Sequence, residues 1–465
     1  MAKYECVIGL EVHIELRTKT KIFCDCPADH GGEPNTRCCP VCMGMPGTLP
    51  VLNREVVNYA ARAGMMLGCE IAHFSKMDRK NYFYPDLPKA YQISQLDHPL
   101  CEHGHIDVTV NGVEKRIGIT RIHIEEDAGK LVHTDSGSGA DCNRCGVPLI
   151  EIVSEPDIRS AAEARAYLER LRELIRWVDV SDCQMETGSM RCDVNLSIRP
   201  VGDTNLYTRT EIKNLNSLKH IVAAIDAEKA RHIDETEAGR EIVQETRRYD
   251  PEKDKTYSMR VKENANDYRY FPDPDLVPII LTDEDHARLR ASLPDLPEER
   301  LAKFTGEYKL PEATAQSLCA ERRLADLYSS AVDRVKNAKL LANLILAEQN
   351  PTEIPADVWV ELTELCGANK INRSAPAKLI EAYRETGREI QVLVDELGLA
   401  QVQDSGLLEQ IADEVLAANP KAVADYKAGK EAAIKALMGQ IMKRTKGAAN
   451  PQEATQLLID KIAKM

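Results

Sequence analysis

The chain changes texture once. Up to about Pro294, short alternating segments are broken by Gly, Pro and Asn; after Leu293-Pro294-Asp295-Leu296-Pro297 the pattern is almost wholly helical and the strand signal never returns. Apolar residues at a period of two mark half-buried strands, and apolar residues at i, i+3 and i+4 mark helices. The break therefore predicts an α+β chain. Its N-terminal part, 1–294, is a mainly antiparallel sheet with a few helices; 295–400 is a helical domain; 401–465 is a small helical tail, whose segments end in turn pairs such as Asn419-Pro420 and Asn450-Pro451. Roughly three domains is the ordinary expectation for 465 residues. Ala164, Tyr167, Leu168, Leu171, Leu174 and Ile175 form the stripe of a helix from about Ala161 to Val178, and a second is expected near Leu218–His232. Beyond the break, Glu321–Asn337 and Leu340–Glu348 read as helices.

The first strand, Val7-Ile8-Gly9-Leu10-Glu11-Val12-His13-Ile14-Glu15-Leu16, carries chemistry on one side. Alternation sends Leu10, Val12, Ile14 and Leu16 one way and Glu11, His13 and Glu15 the other. Taken alone, that polar side is either a solvated edge or a site for a divalent cation. Other segments offer partners. In Gly118-Ile-Thr-Arg121-Ile-His123-Ile-Glu125-Glu126-Asp127, Arg121, His123 and Glu125 share a face, and three adjacent acids repel one another unless a cation or water screens them. In Val147-Pro-Leu-Ile-Glu151-Ile-Val153 a carboxylate sits inside an aliphatic strand, which is costly to bury unless paired or metal-bound. Arg191, Asp193 and Asn195, and Arg209, Glu211 and Lys213, extend the same theme. A sheet with one polar concave face accounts for all of them. Oxygen donors with one imidazole favour magnesium or manganese, and magnesium points to phosphate chemistry. No G-x-x-x-x-G-K-[ST] loop or dinucleotide fingerprint is present, so ATP would be held by the acids and by cations such as Arg79, Lys80 and Lys213.

Cys24-x-Cys26 followed by Cys39-Pro-Val-Cys42 has the spacing of a four-thiolate zinc knuckle that staples a loop with little core of its own. Cys38 leaves the donor set ambiguous by one residue. Cys142-Asn-Arg-Cys145 also has metal spacing, and would form a different set with Cys39 and Cys42. Fourteen cysteines without a basic start followed by an apolar run argue for reduced thiols in a cytoplasm, and no stretch approaches the roughly 20 apolar residues of a membrane helix.

A net charge of -14 argues against a chain held on nucleic acid by bulk electrostatics. The sign reverses locally: from Asn419 onward nine cations, Lys446 among them, outnumber four anions, Glu431 among them. That basic tail is either a polyanion contact or a solvated helical surface. Lys76 to Gln95 and Asp267 to Pro274 interleave cations with aromatic rings, a pattern that suits either a nucleic-acid end or a core-facing loop.

Several runs match one family. Gly9-Leu-Glu-Val-His13, Asp78-Arg-Lys-Asn-Tyr-Phe-Tyr-Pro-Asp86, Ile124-Glu-Glu-Asp-Ala-Gly-Lys130, Pro148 to Asp157, Lys213-Asn-Leu-Asn-Ser217 and Asp267-Tyr-Arg-Tyr-Phe-Pro272 are its motifs, and Asp404-Ser-Gly406 and Gly439-Gln-Ile-Met-Lys443 match its YqeY-like tail. Over essentially its whole length the chain resembles the GatB components of the tRNA-dependent amidotransferase GatCAB. A related family, GatE, shares the cradle but inserts a synthetase-like domain for which this chain has no room.

The resemblance implies one component of a glutamine-hydrolysing tRNA amidotransferase, a ligase forming C–N bonds. Its substrates would be Glu-tRNA(Gln) and/or Asp-tRNA(Asn). ATP converts the side-chain carboxylate to an acyl phosphate, and ammonia from the amidase GatA displaces phosphate, with the small protein GatC completing a heterotrimer. Carried over by motif, Glu11, His13, Glu126 and Glu151 are the catalytic and magnesium residues. Glu125, Asp193 and Glu211 join them around the ion or a second one, and Cys24, Cys26, Cys39 and Cys42 form a structural zinc site. Cys142 and Cys145 are outside that pattern. Two readings compete with it: a zinc-stapled RNA adaptor without catalysis, which leaves Glu151 unexplained, and a stand-alone metal hydrolase.

Overall fold

The structure, a computed structural model, describes residues 3–29, 31–135, 137–261, 268–372, 374–401, 405–430, 432–445 and 449–465. Asp267, Asp404, Glu431 and Lys446, singled out above, lie outside the described residues. The chain forms two compact units, Met1–Pro294 and Asp295–Met465. The boundary falls where Pro294 halts one segment and Pro297 stands at the first position of the next helix, where its missing N–H costs nothing.

The first unit is built on a nine-stranded sheet. Its strands and their neighbours run, in chain order, β1 (Tyr4–Glu15), α1 (Arg54–Met66), β2 (Glu70–Ile71), β3 (Phe74–Ser75), β4 (Asp78–Asn81), β5 (Tyr91–Ser94), β6 (Cys101–Val110), β7 (Val113–Glu126), β8 (Lys130–Thr134), β9 (Gly137–Asp141), β10 (Pro148–Ser154), α2 (Ala161–Trp177), β11 (Met190–Pro200), β12 (Thr210–Leu215), α3 (Leu218–Glu237), β13 (Glu245–Asp250), β14 (Lys255–Val261), β15 (Phe271–Pro272), β16 (Ile279–Ile280) and α4 (Asp283–Ala291). The sheet order is β14-β13-β12-β11-β1-β10-β7-β6-β2, antiparallel throughout except for β12 against β13. Small sheets β15-β4-β5, β16-β3 and β8-β9 flank it.

One face is apolar. Leu10, Val12 and Ile14 of β1 lie beside Ile150 and Ile152 of β10 and Cys192 and Val194 of β11, all buried. Helices α1, α2 and α3 pack against this sheet, with Tyr167, Leu168 and Leu171 of α2 fully enclosed. Helix starts follow the expected chemistry: Asn53, Ser160 and Ser217 each accept a backbone N–H of the first turn. Helix α2 has the expected bounds. Helix α3 continues five residues past His232, to Glu237, and Glu228 and His232, one turn apart, are both buried.

Among its described residues the second unit has helices and one isolated bridge, Ile371 to Ala400, and no strand. Helices α5 (Pro297–Gly306), α6 (Glu312–Leu318), α7 (Arg322–Val332), α8 (Ala338–Ala347), α9 (Ala356–Gly367), α10 (Ala375–Thr386) and α11 (Ile390–Glu396) precede α12 (Ser405–Ala418), α13 (Pro420–Lys427), α14 (Ala432–Arg444) and α15 (Pro451–Lys464). Helix α7 is shorter than its sequence pattern because Asn337 caps the next helix, accepting the Leu340 N–H at 2.9 Å. Residues of α12, α14 and α15 share a core of their own around Val415, Leu437, Ile441 and Leu458. Among the described residues no helix is long and apolar enough to cross a membrane.

Candidate active site

The other face of the large sheet is polar, and its register lines the charged residues up across strands. His123 of β7 lies opposite Glu151 of β10, Glu151 opposite His13 of β1, and His13 opposite Arg191 of β11. Two residues along, Glu11 pairs with Asp193; Asn195 of β11 then pairs with Glu211 of β12. Residues far apart in the chain thus meet because antiparallel neighbours keep a common face.

Two acidic groups result. His13, Glu125 and Glu151 can offer ligand atoms within 4.8 Å of one another, and so can Glu11, Asp193 and Glu211. In the first, His13 Nε2 lies 3.2 Å from Glu151 Oε2 and 3.5 Å from Glu125 Oε1. Burial would lower the His13 pKa, but the Glu151 hydrogen bond and the charges of Glu151, Glu125 and Asp193 raise it to about 9. Burial would likewise push Glu151 up, yet His123, His13 and Lys80 hold its carboxyl well below the usual range. Glu151 stays ionised and demands a positive charge, which the proton on His13 supplies here and a divalent ion would supply in its place. The donor set, one imidazole and two buried carboxylates beside a second acidic trio, fits a hard divalent cation.

In the second group, Asn195 donates to Glu11 at 2.9 Å and Thr246 to Glu211 at 2.8 Å, which fixes both carboxylates. Lys213 forms ion pairs with Asp193 and, at 3.3 Å, with Glu211. Burial opposes its charge, but Asp193 and Glu211 raise its pKa.

The remaining expected residues divide. Lys80 packs between the Tyr82 and Tyr268 rings, and despite burial the Tyr270 and Glu125 charges raise its pKa; it belongs to the first group. Arg79 instead pins β15 to β4, bonding Asp273 and Asp275 at 2.8 Å each, and lies 4.4 Å over Tyr91. Glu126 is not brought to His13. One residue beyond Glu125, its side chain leaves the strand on the opposite side, where Lys89 and the Ile93 N–H, at 2.9 Å, bind it. There it lines a small pocket with Cys24, Cys42, Lys89 and Tyr91. Glu15 stays outside both acidic groups.

Cys24, Cys26, Cys39 and Cys42 converge, their sulfurs within 4.8 Å of one another and Cys39 Sγ 4.0 Å from Cys42 Sγ. Four thiolates about 2.3 Å from one zinc ion stand roughly 3.8 Å apart in a tetrahedron, so the donor set and spacing fit zinc. Cys38, Cys142 and Cys145 are not in that set.

Comparison with known proteins addresses the whole chain. The GatB/GatE catalytic domain family matches residues 6–287, which include both acidic groups and the four cysteines, and the GatB domain family matches residues 326–462. Proteins named as the B subunit of aspartyl/glutamyl-tRNA(Asn/Gln) amidotransferase are similar throughout. The one from Caldanaerobacter subterraneus subsp. tengcongensis is 52% identical over 474 residues, covering 99% of this chain and 100% of the relative. That from Carboxydothermus hydrogenoformans is 50% identical over 481 residues, covering 100% of both. The chain belongs to the GatB family of aspartyl/glutamyl-tRNA(Asn/Gln) amidotransferases. The α+β expectation, with a cysteine knuckle in the sheet unit and a helical C-terminal part, holds for this member.

Three residues near these sites were not named as site residues from sequence. His123 is buried, its Nε2 3.5 Å from Glu151 Oε2 and 3.8 Å from Glu125 Oε2; its place on the shared strand face was the available signal. Lys89 and Lys21 carry no such signal, because each meets its partner through a loop.

Proposed function

We propose that this chain is the transamidating component of a cytoplasmic heterotrimer with the amidase GatA and the small protein GatC, acting on mischarged Glu-tRNA(Gln) and/or Asp-tRNA(Asn). The single observation that carries the reading is the pair of acidic groups, His13–Glu125–Glu151 and Glu11–Asp193–Glu211, set on adjoining strands of one polar face and flanked by Lys80 and Lys213. In the reaction a side-chain carboxylate oxygen of the aminoacyl group attacks the γ-phosphorus of ATP and ADP leaves. The lone pair of ammonia then attacks the acyl carbon and inorganic phosphate departs.

In this reading His13, Glu125 and Glu151 hold one magnesium ion, and Glu11, Asp193 and Glu211 are placed for a second. When bound, the ion supplies Lewis-acid polarisation of the phosphoryl group. Lys80 and Lys213 are positioned to bind phosphate oxygens, and the sheet face orients the aminoacyl end while the walls exclude water. Glu126, already satisfied by Lys89 and Ile93, stays outside the ion's ligand set. Zinc at the four cysteines staples residues 24–42 and takes no part in the chemistry. The division of the second unit into a helical domain, 295–400, and a YqeY-like tail, 401–465, belongs to the same proposal and is supported by the tail's separate core. The basic tail would contact the tRNA body.

ATP-dependent phosphate release, measured with mischarged tRNA and both partner proteins, tests the reading. Glu151→Gln keeps the shape of the side chain and removes a ligand charge, and is expected to lower the rate at least about 100-fold. A rate near that of the unsubstituted chain would contradict the assignment.

A further inference from the structure

Lys21 is a charged side chain that the fold encloses completely, at 0% exposure. A buried ammonium is costly unless an anion faces it and its N–H groups are satisfied. Its donors are accounted for: Nζ lies 2.8 Å from the Arg37 carbonyl, 3.5 Å from the Cys142 carbonyl and 3.6 Å from Cys42 Sγ. Two of these partners are neutral, and among the described residues Lys21 has no ion pair with a carboxylate. Glu126 lies across Gly146 from it, and that acid is occupied by Lys89. Cys42 Sγ is the one of the three that can carry a negative charge.

The surroundings are built to keep the ammonium there. The Lys21 N–H donates to the carbonyl of Cys26, itself a knuckle cysteine, at 2.9 Å, and the Ile22 N–H donates to the Gly146 carbonyl at 2.9 Å. Gly146 has a φ of +77°, a left-handed backbone that brings the 142–146 loop against Cys42. That loop is fastened to the knuckle from the other side: Asn143 accepts the Arg37 N–H at 2.8 Å, and Asn35 accepts the Cys142 N–H at 2.8 Å. Lys21 therefore joins three pieces: the knuckle, the 142–146 loop and the end of the first strand's extension.

We propose that the Lys21 ammonium is the counter-charge of the four-cysteine site and sets how tightly that site holds zinc. The inference rests on the zinc reading of Cys24, Cys26, Cys39 and Cys42. Four thiolates around one divalent ion leave two negative charges at a partly buried site. One ammonium hydrogen-bonded to Cys42 offsets half of that, and acts as the outer partners of metal ligands do. It also gives the 142–146 loop a role without making Cys142 or Cys145 ligands: its backbone carbonyl orients the lysine.

The test uses the full chain and zinc alone, titrated against a chromophoric chelator, with folding checked by circular dichroism in excess zinc. Lys21→Met removes both charge and donors; Lys21→Gln keeps N–H donors for Arg37 and Cys142 but removes the charge. Both are expected to bind zinc roughly 10- to 100-fold more weakly than the unsubstituted chain. Affinities within about twofold in both variants would overturn the proposal. So would weakening in Lys21→Met alone with Lys21→Gln unchanged, because the hydrogen bonds rather than the charge would then be at work. If Lys21→Met does not fold, the glutamine variant decides. An unsubstituted chain that retains no zinc overturns the zinc reading itself, and this proposal with it.

Discussion

On the proposed function, His13 is where a proton and an ion would compete. Its folded pKa, about 9, is raised above the ordinary value of 6.5 by Glu151 and Glu125 acting against burial. A raised value means the stabilisation is fully present below about 6.5 and is lost as pH climbs through about 9. For the chelator-treated chain that is on the order of 3 kcal/mol. Urea unfolding at pH 6.5 and 9.5 should show it, and His13→Gln should flatten the difference. Saturating magnesium should flatten it too, since the ion then replaces the proton. No loss of stability between the two pH values in chelator would contradict the account of His13. Much of this residue-scale picture was legible: the period of two put Glu11 and His13 on one face, and Glu151 was conspicuous among aliphatic neighbours. Glu126 was grouped with them on sequence adjacency and motif, although the same alternation sends it to the other side, to Lys89. Lys21 was not legible, because nothing in a lone lysine tells that a loop some 120 residues on will close over it.

At the scale of elements, the outer strands of the sheet depend on one buried carboxylate. Glu228 of α3 accepts hydrogen bonds from Thr210 of β12 at 2.8 Å and from Arg231, lies 3.2 Å from His232, and is also bonded by Thr256 of β14. Arg247 of β13 stands 3.4 Å away. Burial opposes the charge of Glu228, but His232 and Arg231 lower its pKa far enough to keep it ionised. Helix α3 is thereby tied to the strand that carries Glu211 and Lys213. Glu228→Ala leaves these partners buried without a counter-charge and should cost about 3 kcal/mol, read as a lower urea midpoint with unchanged slope. A shift equivalent to less than about 1 kcal/mol would mean that water or a rearranged Arg247 replaces the carboxylate. Sequence periodicity finds α3 but ends it at His232, since the polar, mostly exposed last turn, Asp234 to Glu237, carries no apolar stripe. Helix α2, with a clean stripe and a serine cap, was legible to within a residue.

For the whole molecule, the texture break at Leu293–Pro297 was the most legible feature, because two prolines and a change of period act on the backbone directly. Which strands adjoin was not legible: the register of β1 against β10 and β11 depends on contacts between residues more than 100 apart. On the proposed function, distinct ions take distinct places in this one chain: zinc at the cysteines and a hard divalent ion at the polar sheet face. Anomalous diffraction from crystals of the full chain grown with manganese and ATP, recorded at both the zinc and manganese edges, tests this directly. The expected result is zinc at Cys24, Cys26, Cys39 and Cys42 and manganese among His13, Glu125 and Glu151. Manganese bound elsewhere, with that sheet face empty, would contradict it.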